Sequence, residues 1–449
     1  MRQNDFENTP MLKLVMSLAI PSTIAQLVNI LYSIVDRMFV GQIEEVGNVC
    51  LAAVGICGPI VTLLSSFGTL VGIGGSIWLS MCLGQKNEKR ASQILYNSFV
   101  MLVVLSICLT LGFILLKHNL IYWFGGSDAL YPYANTYLTI YTLGTFFALM
   151  SIGLNYFITG QGYATIAMLS VCIGAITNII FDFILIRTLK IGVSGAAIGT
   201  VVAQFISCMF VLCFLRFKSK IKLHKEELSI EKMKHIVKLG FSPFLIIASD
   251  SIILIVMNMM LQKYGGNMGD IYISAITVAQ SYFLLITGPL LGISSGTQPI
   301  FAYHFGSQNL KKIKEAFKIV ISFAFLFCLI MFIISMCYSN VFVAMFTNDT
   351  MTMPIADRAI KIFCLGILMM SIQYVLVDGI TGLSNVKLSL FLSLNRKLMY
   401  LGCTCLLPAF LGVSNIFYAQ PVADIYASIV TIICFIKIIP SYLKSHGVK

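Results

Sequence analysis

The chain has 449 residues, of which 58% are hydrophobic and 11% charged, with a formal net charge of +12 and a mean hydropathy of +0.91. Soluble domains carry about 25% charged residues, so this composition excludes a water-soluble globular protein and leaves no room for a soluble catalytic domain. The chain is expected to be an all-α polytopic membrane protein.

In chain order, the polar stretch MRQNDFENTP leads into a first apolar run with no small-residue cleavage site, which reads as a retained helix and not a signal peptide. Breaks between apolar runs predict twelve spans, at 11–40, 50–83, 93–117, 131–158, 165–187, 194–216, 238–263, 272–304, 316–338, 358–381, 388–411 and 417–441. With the amino terminus on the cytoplasmic side, cytoplasmic segments hold 20 Lys and Arg and the opposite side holds six. That asymmetry predicts a multi-pass protein of the cell membrane with both termini and the middle linker cytoplasmic. The linker, RFKSKIKLHKEELSIEKMKHIVK, accounts for much of the positive charge. A basic segment beside anionic lipid requires no nucleic-acid partner. The 13 cysteines form no CxxC or Cys/His cluster and read as free thiols in apolar runs.

The second half repeats the first. Pro21 matches Pro243, Gly84 matches Gly306 and Gly160 matches Gly382, each pair 222 residues apart. Because each half has an even number of spans, both enter the membrane from the same side. The expected organisation is a six-helix lobe over 1–216, a flexible basic linker over 217–237 and a second lobe over 238–449, the lobes related by a pseudo-twofold along the membrane normal. Two such lobes suit alternating access to a central cleft.

Five carboxylates fall inside predicted helices: Asp36, Asp182, Asp250, Asp378 and Asp424. A charge at mid-helix costs about 2.5–3.5 kcal/mol on insertion scales, so each needs a partner, a proton, a cavity or a helix end. Asp378 and Asp424 lie near span ends, which suggests interfacial or capping roles. Asp36 is five residues before Gly41 and Asp182 five before Arg187, at matching depth near the outer ends of helices 1 and 5. Asn178 lies one turn from Asp182, and Thr200 on helix 6 reaches the same level. These four form an oxygen-rich cluster suited to a proton or a sodium ion. Asp250, flanked by Ser249 and Ser251, is placed near mid-membrane with a role in substrate or proton handling. In the second half, the positions of Asp36 and Asp182 hold Asn258 and Thr404, so coupling chemistry is expected in the amino-terminal lobe.

GISSG at 292–296 matches a GxSxG nucleophile pattern, and GTLVG at 68–72 matches GxxxG. Both sit in membrane helices, where glycines serve close packing. No His or paired acid is expected near Ser294, which argues against an enzyme, and the five histidines make no metal set.

VDRMFVG at 35–41, LGQ at 83–85, TNIIFDFILI at 177–186 and SGAAIGTVVAQ at 194–204 resemble motifs of the multidrug and toxic compound extrusion (MATE) family, in the bacterial multidrug-exporter branch. The resemblance covers nearly the whole chain. It implies secondary export of cationic, amphipathic drugs driven by inward movement of H+ or Na+, with a cation site at Asp36, Asn178, Asp182 and Thr200 and a functional acid at Asp250. It implies no cofactor beyond the coupling ion, membrane lipids and small cationic drugs as partners, and a monomer. A flippase for a lipid-linked or cell-wall precursor is the rival reading of the same architecture.

Overall fold

A computed structural model of the chain describes residues 5–41, 43, 46–124, 128–346 and 351–448. No strand occurs among the described residues. The helices are α1 (Met11–Gly41), α2 (Gly47–Gly84), α3 (Glu88–Trp123), α4 (Tyr131–Leu143), α5 (Thr145–Gly160), α6 (Ala164–Asp182) and α7 (Val193–Phe217). The second half adds α8 (Ile230–Gly265), α9 (Gly269–Gly296), α10 (Gln298–Gly306), α11 (Leu310–Phe346), α12 (Thr352–Cys364), α13 (Ile367–Gly382), α14 (Val386–Leu411) and α15 (Ala419–Ser445).

These elements trace twelve membrane paths, because α9 runs on into α10 as one span and the pairs α4/α5 and α12/α13 are single spans bent by 56° and 49°. Ten of the paths meet the length and apolarity needed to cross a bilayer. The other two are α8 and α14, and α14 carries Lys387, Arg396 and Lys397.

The 222-residue offset is written into the backbone as well as the sequence. α5 and α13 have limits exactly one offset apart, as do the starts of α2 and α9, of α3 and α11, and of α6 and α14. Lys86 and Gln308 both turn through φ 57°, and the left-handed Gly162 (φ 88°) has its counterpart in Ser384 (φ 62°). Asn87 Oδ1 caps α3 by accepting from Arg90 N at 3.0 Å, and its equivalent Asn309 accepts from Lys312 N at 3.0 Å. Both bent spans break at equivalent glycines, Gly144 and Gly366.

By packing, the chain divides into one unit of Met1–Asn8 and Ile24–Ala248 and a second of Thr9–Thr23 and Ser249–Lys449. The units differ from the sequence halves, since α1 and α8 each contribute to both. Within a bilayer, helices gain little hydrophobic free energy from meeting, and small residues allow close van der Waals contact instead. In the first unit a Cβ on Gly72 would stand 2.7 Å from Gly153 O, and one on Gly240 would strike the Leu70 carbonyl. In the second unit, Cβ atoms on Gly292 and Gly296 would come within 2.5 Å of Thr23 and Ser22. GTLVG and GISSG are therefore packing seams.

The middle linker departs from the flexible hinge expected of it. Residues from Ile230 onward are already α8, and the stretch before it is held in the first unit. Buried Asn97 accepts from Ser229 N at 2.9 Å and donates to Glu227 O at 3.0 Å. Buried Gln161 accepts from Ile221 N at 2.8 Å, Arg216 Nη1 donates to Leu223 O at 2.8 Å, and Lys220 pairs with Glu88 at 2.9 Å.

Candidate functional site

In the first unit, α1, α6 and α7 bring Asp36, Asn178, Asp182 and Thr200 together. The Asp36 and Asp182 side chains lie close enough to interact electrostatically. Asp182 and Asn178 are buried and Asp36 nearly so, at 9% exposure. Asn178 Nδ2 donates to Thr200 Oγ1 at 3.4 Å, while the Thr200 hydroxyl donates to Ala196 O at 3.0 Å. That arrangement aims Asn178 Oδ1 away from Thr200. Asn178 Oδ1, Asp36 Oδ1 and both Asp182 oxygens are buried acceptors with no hydrogen-bond donor among the described residues.

Local backbone chemistry shapes the site. α6 ends at Asp182, and the helix widens into a π turn over Phe183–Thr188, where Leu189 N bonds Ile184 O at 2.8 Å. On α7, Gly199 leaves the space that Asp182 occupies, since a Cβ there would lie 2.5 Å from Asp182 Oδ1. Arg37 is exposed, so the adjacent Asp36 and Arg37 serve different surroundings.

Tyrosines surround the carboxyls and were not anticipated from sequence. Tyr32, one helical turn before Asp36, and Tyr137 on α4 lie within electrostatic range of Asp36. Tyr141 OH receives Gln204 Nε2 at 3.0 Å and lies 3.5 Å from Ser65 Oγ. Tyr137 and Tyr141 share one face of α4, a spacing that could have flagged them beside the acids.

Two acids of the second unit, Asp378 and Asp424, are placed differently from their expected roles. Asp424 is fully buried and takes no interfacial part: its Oδ1 accepts from Arg396 Nε at 2.8 Å and Nη2 at 2.7 Å, and its Oδ2 accepts from Gln420 at 2.8 Å. Arg396 also donates to Tyr374 OH at 3.3 Å and lies over that ring at 5.2 Å. Asp378 caps no helix end; it accepts from Gln298 Nε2 at 2.9 Å, tying α13 to α10, with the Ser294 hydroxyl alongside. Ser294 therefore does have an acid beside it. Serine and carboxylate without an interposed base do not make an activated nucleophile. Asp250 forms an ion pair with Lys397 of α14. The side chain of Ser251 lies outside the described residues.

Comparison with known proteins follows this geometry. The MatE family model matches residues 21–184 and 247–399. The chain is 25% identical over 427 residues to the multidrug export protein MepA of Staphylococcus haemolyticus, covering 93% of this chain and 92% of that protein. It is 22% identical over 424 residues to the same-named protein of Staphylococcus aureus, with the same coverage. Among solved structures, a MOP superfamily transporter from Pyrococcus furiosus, described as having a binding pocket of reverse polarity, superposes with a TM-score of 0.92 at 22% identity, covering 99% of this chain and 100% of that one. An outward-facing multidrug resistance MATE family transporter superposes at 0.91, also at 22% identity and the same coverage. With twelve membrane helices, a 222-residue repeat and a family match spanning most of both halves, the chain belongs to the MatE family of membrane transporters.

Proposed function

We propose that the protein is a multidrug exporter of the cell membrane, and not an enzyme, that moves cationic amphipathic compounds outward by alternating access, driven by inward H+ or Na+. The observation that carries the coupling role is the set of four buried acceptor oxygens on Asp36, Asn178 and Asp182 without donors among the described residues. Two neighbouring carboxylates shielded from water repel unless a cation lies between them. A proton shared by the two carboxyls meets that need, and so does a sodium ion held by both carboxylates and Asn178 Oδ1, with Thr200 orienting the Asn178 amide. The donor set fits either ion. Entry of the ion neutralises Asp36, which links α1 to α6 and α7, and its departure restores the repulsion. Ion occupancy thus favours one packing of these helices over another. The protein works as a monomer among membrane lipids, with both termini cytoplasmic, and uses no nucleic acid and no cofactor.

The test is efflux of a fluorescent cationic dye from proteoliposomes under an imposed sodium gradient and, separately, an imposed pH gradient. One gradient should drive dye movement in the wild type, and Asp36→Asn should abolish it while leaving the protein folded and inserted. Wild-type efflux by Asp36→Asn would remove the coupling role. Movement driven by neither gradient would remove cation coupling altogether.

A further inference from the structure

The second unit holds an ion-pair network with no counterpart among the described residues of the first. Lys397 and Arg396 are neighbours on α14; Lys397 pairs with Asp250 of α8, and Arg396 with Asp424 of α15. Tyr374 on α13 stacks beneath Arg396, whose Nη2 also lies 3.7 Å from Met370 Sδ. Gln420 completes the acceptors of Asp424. The network contains two acids and two bases, so it is neutral as it stands. It offers a bare cation no spare negative charge.

The two ion pairs differ in accessibility. Arg396 and Asp424 are 12% and 0% exposed and form a closed pair. In the other pair Lys397 is 12% exposed and Asp250 is 60% exposed. Asp250 lies fifteen residues before the end of α8 at Gly265, about 22 Å along the helix. A carboxylate open to lipid at that depth is costly, so its exposed face meets water.

This asymmetry selects among ligands by the charge each would strand. A simple monocation that takes Asp250 separates it from Lys397 and leaves a buried ammonium without a counter-charge, the expensive outcome. A ligand carboxylate that takes Lys397 releases Asp250, which is already hydrated. A ligand with both charges takes both partners and strands neither. We propose that the Asp250–Lys397 pair is a binding site for zwitterionic solutes, in which Asp250 receives the ligand's ammonium and Lys397 its carboxylate. Lys397 is thereby a specificity-determining residue that turns simple cations away from this site. The Arg396–Asp424 pair, held by Gln420 and Tyr374, is a fixed support that keeps Asp424 from accepting Lys397 instead.

This inference goes beyond the export reading by adding zwitterions, at a site in the second unit, to the cationic compounds proposed above, and it rests on that reading for the direction of transport. The test therefore measures binding apart from transport. Full-length protein in lipid nanodiscs is titrated calorimetrically with three probes built on one aromatic scaffold: a primary amine, the corresponding amino acid, and its N-acetylated, anionic form. The zwitterion should bind the wild type about tenfold more tightly than the amine, a difference of ~1.4 kcal/mol. Lys397→Gln should erase or invert that preference, and Lys397→Arg should keep most of it. Should Lys397→Gln fail to fold, the neutral pair Asp250→Asn/Lys397→Gln, which leaves no stranded charge, serves in its place and should show no preference. Equal or tighter binding of the amine by the wild type overturns the proposal, as does a preference that survives loss of Lys397, or absence of saturable binding by all three probes. Gradient-driven efflux of the cationic dye, assayed on the same protein, reports on the export reading separately.

Discussion

At Gly199 an added Cβ would stand 2.5 Å from Asp182 Oδ1, closer than real Cβ contacts come, with the Asp182 backbone nitrogen at 3.5 Å behind it. The neighbour that must yield is therefore the carboxyl itself, swung away from Asp36. Gly199→Ala should leave folding intact, since alanine is about 1 kcal/mol better than glycine inside a helix. The same change should lower gradient-driven dye efflux about tenfold, equivalent to ~1.4 kcal/mol of misplaced ligand. Efflux and thermal unfolding measured on one preparation separate the two effects; wild-type efflux would show that the Asp182 position does not matter. At this scale the sequence was informative about which residues gather. Depth counted along helices brought Asp36, Asn178, Asp182 and Thr200 to one level, and the structure brings them into one cluster. Depth says nothing of rotation about the helix axis or of partners on distant segments. For that reason the salt bridges of Asp250 and Asp424 and the bond between Asp378 and Gln298 were not legible, whereas the spacing of Tyr137 and Tyr141 was a signal that went unused.

The segment joining the two halves shows how a charge run can mislead about an element. Its lysines and glutamates read as a solvated hinge, yet its backbone is held by the side chains of Asn97 in α3 and Gln161 just after α5, both far away in sequence. Composition records what a side chain prefers to face; it does not record which buried amides are waiting for a backbone partner. Asn97→Ala would leave Ser229 N and Glu227 O without their partners, at a cost of about 1–3 kcal/mol. Brief trypsin treatment should then cut faster at Lys220, Lys222 and Lys225, while Asn97→Asp, which keeps the acceptor and loses the donor, should fall between. Unchanged cleavage in Asn97→Ala would mean that the other contacts alone hold the segment. Helix existence was easier to read, because apolar runs set the spans; the bends at Gly144 and Gly366 were not marked, although these glycines recur at the same offset. The π turn after Asp182 has no comparable signal in FILIRT, whose residues suit an ordinary helix equally well.

Across the whole molecule, the repeat preserves backbone and discards charge. The register equivalents of Asp36, Asn178 and Asp182 are Asn258, Tyr400 and Thr404, whereas those of Asp250, Arg396, Lys397 and Asp424 are Val28, Gly174, Ala175 and Val202. One half holds acids without bases and the other holds each of Asp250 and Asp424 with a base. In the proposed function the first arrangement takes up a cation, and the second, neutral as it stands, does not. If burial sets the energetics of the second, single and paired removals will differ in a fixed pattern. Asp424→Val strands Arg396, and Arg396→Met strands Asp424; each partner is buried, so each change should cost about 3–5 kcal/mol. The double change strands nothing and should recover most of that loss, because apolar replacements of a buried pair are often neutral. The Asp250–Lys397 pair should not behave symmetrically. Asp250→Val leaves a buried ammonium and should be the harsher change, whereas Lys397→Ala leaves a carboxylate that is 60% exposed and already hydrated. Thermal unfolding of the five variants in one detergent would reveal the pattern. Equal losses from Asp250→Val and Lys397→Ala would mean that water reaches both charges alike, and the charge-stranding basis for selecting zwitterions would go with it.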